Sequence, residues 1–226
     1  SLMAAYQSQA IEPNLTAEHG RTSVVPSALE IPSADLYISV AAHPGRPEVL
    51  TNWMDASVKE ESDPLSVIPD LNPFADDREV PFTQKFIEKY RDAQIRRNHR
   101  ITDWARNEID RLVAAGHYDR LFTTPRLWAD LRMIDGSIDP SQRQVPSCYL
   151  GDPRRANYGI YGVGTVSSLR TWLSMWSLSD SQCNAAPHLA RINLPALVID
   201  ADADTGVFPS DTRAIVDALG SEDVTL

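Results

Sequence analysis

The stretch Pro195-Ala196-Leu197-Val198-Ile199-Asp200-Ala201-Asp202-Ala203-Asp204-Thr205-Gly206-Val207-Phe208-Pro209-Ser210-Asp211 constrains the fold more than any other part of the chain. Leu194 to Ile199 form a short apolar run suited to a central strand of a parallel sheet. Three alternating aspartates follow, then an apolar turn closed by Pro209. A helix is expected from about Ser210 to Leu219, with Ser210 as N-cap, Asp211 at its positive end and Gly220 as its stop. Val224-Thr225-Leu226 then opens another strand. Strand, helix and strand in succession imply a right-handed parallel crossover, and hence an α/β fold. Functional groups in such sheets gather at the carboxyl ends of strands, where the aspartates lie.

The rest of the chain divides around this pattern. Residues 1–50 read as core: a helix from Ser1 to about Gln9, a polar loop with Pro13 and Gly20, and a buried strand within Ala34–Ala42 that stops at His43-Pro44-Gly45. Residues 51–164 read as a mainly helical insertion. A loop rich in Pro and Asp leads there into a long amphipathic helix or helix pair, carried by Phe86, Tyr90, Ile101, Trp104, Ile109, Leu112 and Val113 and ended by Gly116. The cluster Arg96-Arg97-Asn98-His99-Arg100 is expected on its solvated face rather than at an anion site. Residues 165–226 return to core, with Val166, Leu169, Trp172, Leu173 and Trp176 as one helical apolar stripe.

Composition narrows the partners. The 226 residues carry 21 basic and 31 acidic side chains, a formal charge of −10, which disfavours a nucleic-acid partner. No apolar run approaches the roughly 18 residues that span a bilayer. Hydrophobic residues at 42% and charged residues at 23% exclude a disordered or fibrous chain. Cys148 and Cys183 have neither metal-ligand nor redox spacing and read as small, partly buried thiols.

Asp200, Asp202 and Asp204 alternate as in a calcium loop, but Gly206 comes one place late, Asp211 replaces the closing Glu, and a strand precedes them where a helix is needed. Gly159, Gly162 and Gly164 lack the preceding strand of a dinucleotide loop, and Ser167 holds the third glycine's place; they read as a flexible junction between insertion and core. No metal or cofactor is expected.

With its small residue Ala201, two variable positions, Asp204 and the Val207-Phe208-Pro209 turn, the segment resembles the acid loop of the α/β-hydrolase family. The family more often has Gly where Ala201 stands. Ser1-Leu2-Met3-Ala4-Ala5-Tyr6 resembles the helix after the family's nucleophile elbow, and the strand ending at His43 suits the next strand of the sheet. The resemblance implies a partial hydrolase core with a helical cap at 51–164, cleaving an ester, thioester or amide of a small acyl substrate. Asp204 would be the triad acid, ahead of Asp202 and Asp200. His43, at the end of a core strand, reads either as a turn histidine bonded to backbone or as a pocket residue touching substrate or oxyanion. Trp53, Trp104 and Trp128 are candidates for the roof of an acyl pocket, or plain core.

The chain has no G-x-S-x-G, and His19, His43, His99, His117 and His188 all precede Asp204, whereas the family's order is Ser, Asp, His. The expectation is therefore a cytoplasmic hydrolase of which these residues are an internal interval, inactive alone. An acyltransferase on the same fold, or a noncatalytic α/β binding module, are the other readings.

Overall fold

The computed structural model describes residues 2–11, 15 and 32–226. The predicted N-cap Ser1 and the loop residues Pro13, His19 and Gly20 lie outside them.

The elements run α1 (Leu2–Ile11), β1 (Tyr37–Val40), α2 (Arg46–Trp53), β2 (Val58–Glu60), β3 (Asp63–Val67), α3 (Gln84–Ala114) and β4 (Leu121–Thr123). They continue with α4 (Pro153–Asn157), β5 (Val166–Ser168), α5 (Leu169–Thr171), α6 (Ala186–Leu189), β6 (Ala196–Ile199), α7 (Pro209–Ala218) and β7 (Val224–Thr225). The fold is α/β: β1, β6 and β7 form a parallel sheet in that order, and β2–β3 and β4–β5 are two small antiparallel pairs. The expected central strand is central, with β1 on one side and β7 on the other. Ala4, Leu189, Val198 and Ile215 pack together, so α1, α6 and α7 meet the sheet in one apolar layer.

Two strand expectations need correction. The first strand is shorter than Ala34–Ala42 and only half covered: Ser39 is buried, whereas Ile38 is 52% and Val40 61% exposed. Alternate side chains of a strand point to opposite faces, and no described element covers the face of Ile38 and Val40. Val166 does not join the helical stripe. It lies in β5, paired with Thr123, and its side chain is exposed. Leu169, Trp172, Leu173 and Trp176 do form the expected buried stripe, with Trp172–Trp176 wound as a wider π-turn.

The amphipathic pattern forms one helix of 31 residues, α3. Phe86, Tyr90, Ala93, Arg97, Ile101, Ala105, Ile109 and Leu112 are buried at spacings of three and four, one continuous face. Its first half packs on Leu71, Phe82 and Leu131, and its second on Leu50, Met54, Leu169, Trp172 and Leu173. Helix α2, which crosses residue 50, belongs to that second cluster. Gly116, at φ +80°, closes the helix in the left-handed conformation. At the other end, the Thr83 side chain accepts the Phe86 amide at 3.3 Å. Thr83→Ala is expected to cost about 1 kcal/mol, read as a lower urea midpoint at unchanged slope.

The basic cluster is the third correction, because Arg97 and Asn98 are buried rather than solvated. Arg97 sits on the apolar stripe, yet all five of its N–H groups find acceptors. Nε and Nη2 meet Glu61 at 2.9 and 2.6 Å, and the rest meet the carbonyls of Asp55, Pro125 and Arg126. Asn98 donates to Thr51 Oγ1 and to the Trp176 carbonyl, and accepts the Leu178 amide. A guanidinium can occupy a core position when every donor is satisfied.

Candidate functional site

The three alternating aspartates separate into different roles. Asp200 Oδ1 accepts the Thr212 hydroxyl at 2.8 Å and the Ala201 amide at 2.9 Å, tying the end of β6 to α7. Asp202 is exposed, and its carbonyl accepts the Gln142 amide at 3.0 Å. Asp204 is held most closely. Its Oδ1 accepts the Gly206 amide at 2.8 Å, the Val207 amide at 3.1 Å and the Tyr149 hydroxyl at 2.9 Å. Among the described residues, Oδ2 accepts no hydrogen bond. The carboxylate is thus fixed through one oxygen and open at the other. The three aspartates do not converge on one centre, and no group of three or more metal-ligating side chains stands together among the described residues.

Helix α7 starts differently from expectation. Phe208, not Ser210, occupies the N-cap, and Asp211 Oδ2 reaches back to accept the Phe208 amide at 3.0 Å. Pro209 at the first helical position needs no amide partner, and the cap lies two residues earlier than expected. Ser210 Oγ instead accepts Arg132 Nη1 at 2.9 Å, and its amide donates to Asp139 Oδ2 at 2.8 Å. Gly220 follows the helix without a left-handed turn.

Arg132 locks this region from the facing segment. It bonds Asp130 through Nε and Nη2 and Asp211 Oδ1 through Nη1 at 3.0 Å, with its guanidinium 4.1 Å from the Phe208 ring centre. Burial alone would push the Asp130 carboxyl up, but Arg132 and Arg91 outweigh it and hold the group well below the usual carboxylate range. Asp211 goes the other way: burial pushes its carboxyl up despite the pull of Arg132 and of the Phe208 amide.

Tyr149, which no sequence pattern singles out, is the residue that the structure adds. It sits at the tip of a tight turn closed by reciprocal Cys148–Gly151 backbone bonds of 2.8 Å, with Gly151 at φ +89°. Its ring meets Trp53 and Trp128 edge-on, at centroid distances of 6.0 and 6.4 Å, and those two indoles stack at 4.9 Å. Partial burial, the bond to Asp204, and the charges of Asp204 and Asp211 raise its phenol above the ordinary tyrosine range. The only sequence trace of this contact is Gly206. A Cβ there would lie 2.4 Å from Tyr149 Cζ, so a glycine leaves room for the ring.

His43 follows β1, whose Val40 pairs with Ile199 of β6; it and Asp204 therefore come from the carboxyl ends of neighbouring strands. Burial lowers the His43 pKa, and its Nδ1 is closed from solvent with no hydrogen-bond partner among the described residues. No hydrogen bond joins His43 to Asp204 among the described residues. His188 Nε2 lies 2.9 Å from the Gln182 carbonyl, and His99 Nδ1 is 3.4 Å from Ser179 Oγ. Trp53 and Trp128 are buried in one stack, whereas Trp104 is half exposed against Phe122. The three tryptophans therefore do not form a single surface. Gly162 and Gly164 lie in the turn that leads into β5, with Gly164 in the left-handed conformation (φ +84°) beside Leu50 and Trp176. Cys148 is buried, Cys183 is partly buried, and both thiols are free.

No helix among the described residues is long and apolar enough to cross a membrane. No protein-family model matches the chain, and no curated protein or solved structure matches it.

Proposed function

We propose that the chain is part of a serine hydrolase of the α/β-hydrolase type, with Asp204 as its triad acid. The observation that carries this reading is the Asp204 carboxylate. It is immobilised by three donors on Oδ1 and open at Oδ2, beyond the carboxyl end of a central parallel strand. A triad acid needs this arrangement, because it must accept one imidazole N–H from a fixed direction and stay ionised while the imidazolium forms. The strand order supports the same reading. The sheet steps outward from β1 to β6 to β7, all parallel, and among the described residues no strand pairs with the other edge of β1, where the strand preceding a nucleophile would lie.

In this reading residues 51–164 are the cap, and the nucleophilic serine and the histidine come from outside residues 1–226. The serine attacks an ester, thioester or amide carbonyl, the histidine takes its proton, and Asp204 fixes the histidine tautomer. His43, on the same edge of the sheet, lines the acyl pocket.

The test uses the full-length protein with aryl esters of graded acyl length and a fluorophosphonate probe. Ester turnover and stoichiometric labelling of one serine are expected. A folded full-length protein that neither turns over any ester nor takes the label is instead a binding module.

A further inference from the structure

We infer that Tyr149 is a positioning residue for the Asp204 carboxylate, and that Gly206 is a glycine because the Tyr149 ring must lie against it. The inference rests on the reading of Asp204 as the triad acid.

Two backbone amides already bind Oδ1, but both belong to the acid's own loop, so they turn with it. The Tyr149 hydroxyl comes from another part of the chain, more than fifty residues earlier, and fixes the carboxylate relative to the facing segment. The ring is itself braced by Trp53 and Trp128, and its turn is pinned by Cys148 and Gly151. Gly206 is not in the left-handed region, so backbone conformation does not require a glycine there. Clearance does: a Cβ would lie within 2.7 Å of three Tyr149 atoms, Cζ, Cε2 and the hydroxyl oxygen. A larger residue shifts the ring from its place beside Asp204, while the Gly206 amide can still donate.

The consequence for catalysis has a definite sign. A hydrogen bond to a carboxylate stabilises its charged form and makes it a weaker base. Without the Tyr149 donor, Asp204 pulls harder on the imidazole proton, and the histidine pKa rises. Asp211, paired with Arg132, is the other charge that acts on the Tyr149 hydroxyl, and it remains in every variant used.

The first measurement is a ring-carbon NMR titration of the tyrosines in the folded full-length protein. Tyr149 is expected to stay protonated to higher pH than the exposed tyrosines, and to titrate earlier in Asp204→Asn. Titration with the exposed tyrosines in both proteins overturns the contact. The second uses the full-length enzyme. Tyr149→Phe, which keeps the ring, is expected to lower kcat about tenfold with little change in KM, and to move the acid limb of the pH profile upward. Gly206→Ala is expected to reproduce that loss, and to add nothing in a Tyr149→Ala background. Unchanged kcat and pH profile in Tyr149→Phe, with Asp204→Asn inactive, overturn the role of Tyr149 and leave the acid assignment standing. An active Asp204→Asn overturns both.

Discussion

With Asp204 as the proposed triad acid, Asp204→Asn in the full-length protein is expected to lower turnover by about 10³- to 10⁴-fold, with the fold intact. The geometry of the loop explains why a nearly isosteric change should cost so much. Oδ1 faces three donors, the amides of Gly206 and Val207 and the Tyr149 hydroxyl, so an asparagine must turn its carbonyl oxygen toward them. Its NH₂ group then occupies the Oδ2 position, where the imidazole N–H needs an acceptor. Donor meets donor, and the histidine takes the tautomer that cannot accept the serine proton. The same three bonds preserve the loop, so the melting temperature should stay close to that of the native protein. Steady-state kinetics beside thermal melts check both halves of the prediction. Near-native turnover would remove Asp204 from the triad.

Asp130→Ala carries the largest expected loss of stability, about 3 to 5 kcal/mol. Asp130 is fully buried and accepts Arg91 Nη2 at 2.8 Å, Arg132 Nη2 at 2.8 Å and the Arg132 amide at 2.9 Å. Without it, Arg132 stays buried with Asp211 at 3.0 Å and Asp139 at 3.9 Å as its remaining carboxylates, and the desolvation of its charge is less well balanced. Urea denaturation should show a lower midpoint with little change in slope. The pH dependence has a fixed direction. The folded pKa of Asp130 lies well below the unfolded value of about 4, so its contribution is complete above pH 4 and fades as pH falls through the folded pKa. Native and Asp130→Ala stabilities should therefore converge in strong acid. A constant gap between them would place the loss elsewhere.

What could be foreseen from the sequence follows a physical line. Elements set by local periodicity were legible. The run Ala196–Ile199 is a strand, the stripe from Phe86 to Leu112 is a helix, and Val224-Thr225 opens a strand. Features set by partners distant in sequence were not. Arg97 reads as solvent-facing because its charge is local information, whereas its acceptors on Asp55, Glu61, Pro125 and Arg126 are supplied by remote loops. Ile38 and Val40 read as buried because strand hydrophobicity does not say which face is covered. Ser210 resembles an N-cap, but Pro209 and the back-bond from Asp211 place the cap at Phe208. The site divides along the same line. Asp204 stands out in the sequence through the order strand, small residue, Asp, turn, whereas Tyr149 lies on a separate turn with no spacing that ties it to Asp204.

Arg132, Asp139, Gln142 and Tyr149 all cross from one stretch of chain to the acid loop and the start of α7. Parting the two sides would strand the buried charges of Arg132 and Asp211 and strip the Tyr149 bond from Asp204 together. Such an opening costs several kcal/mol and is all-or-none rather than gradual. The two sides therefore move as one body.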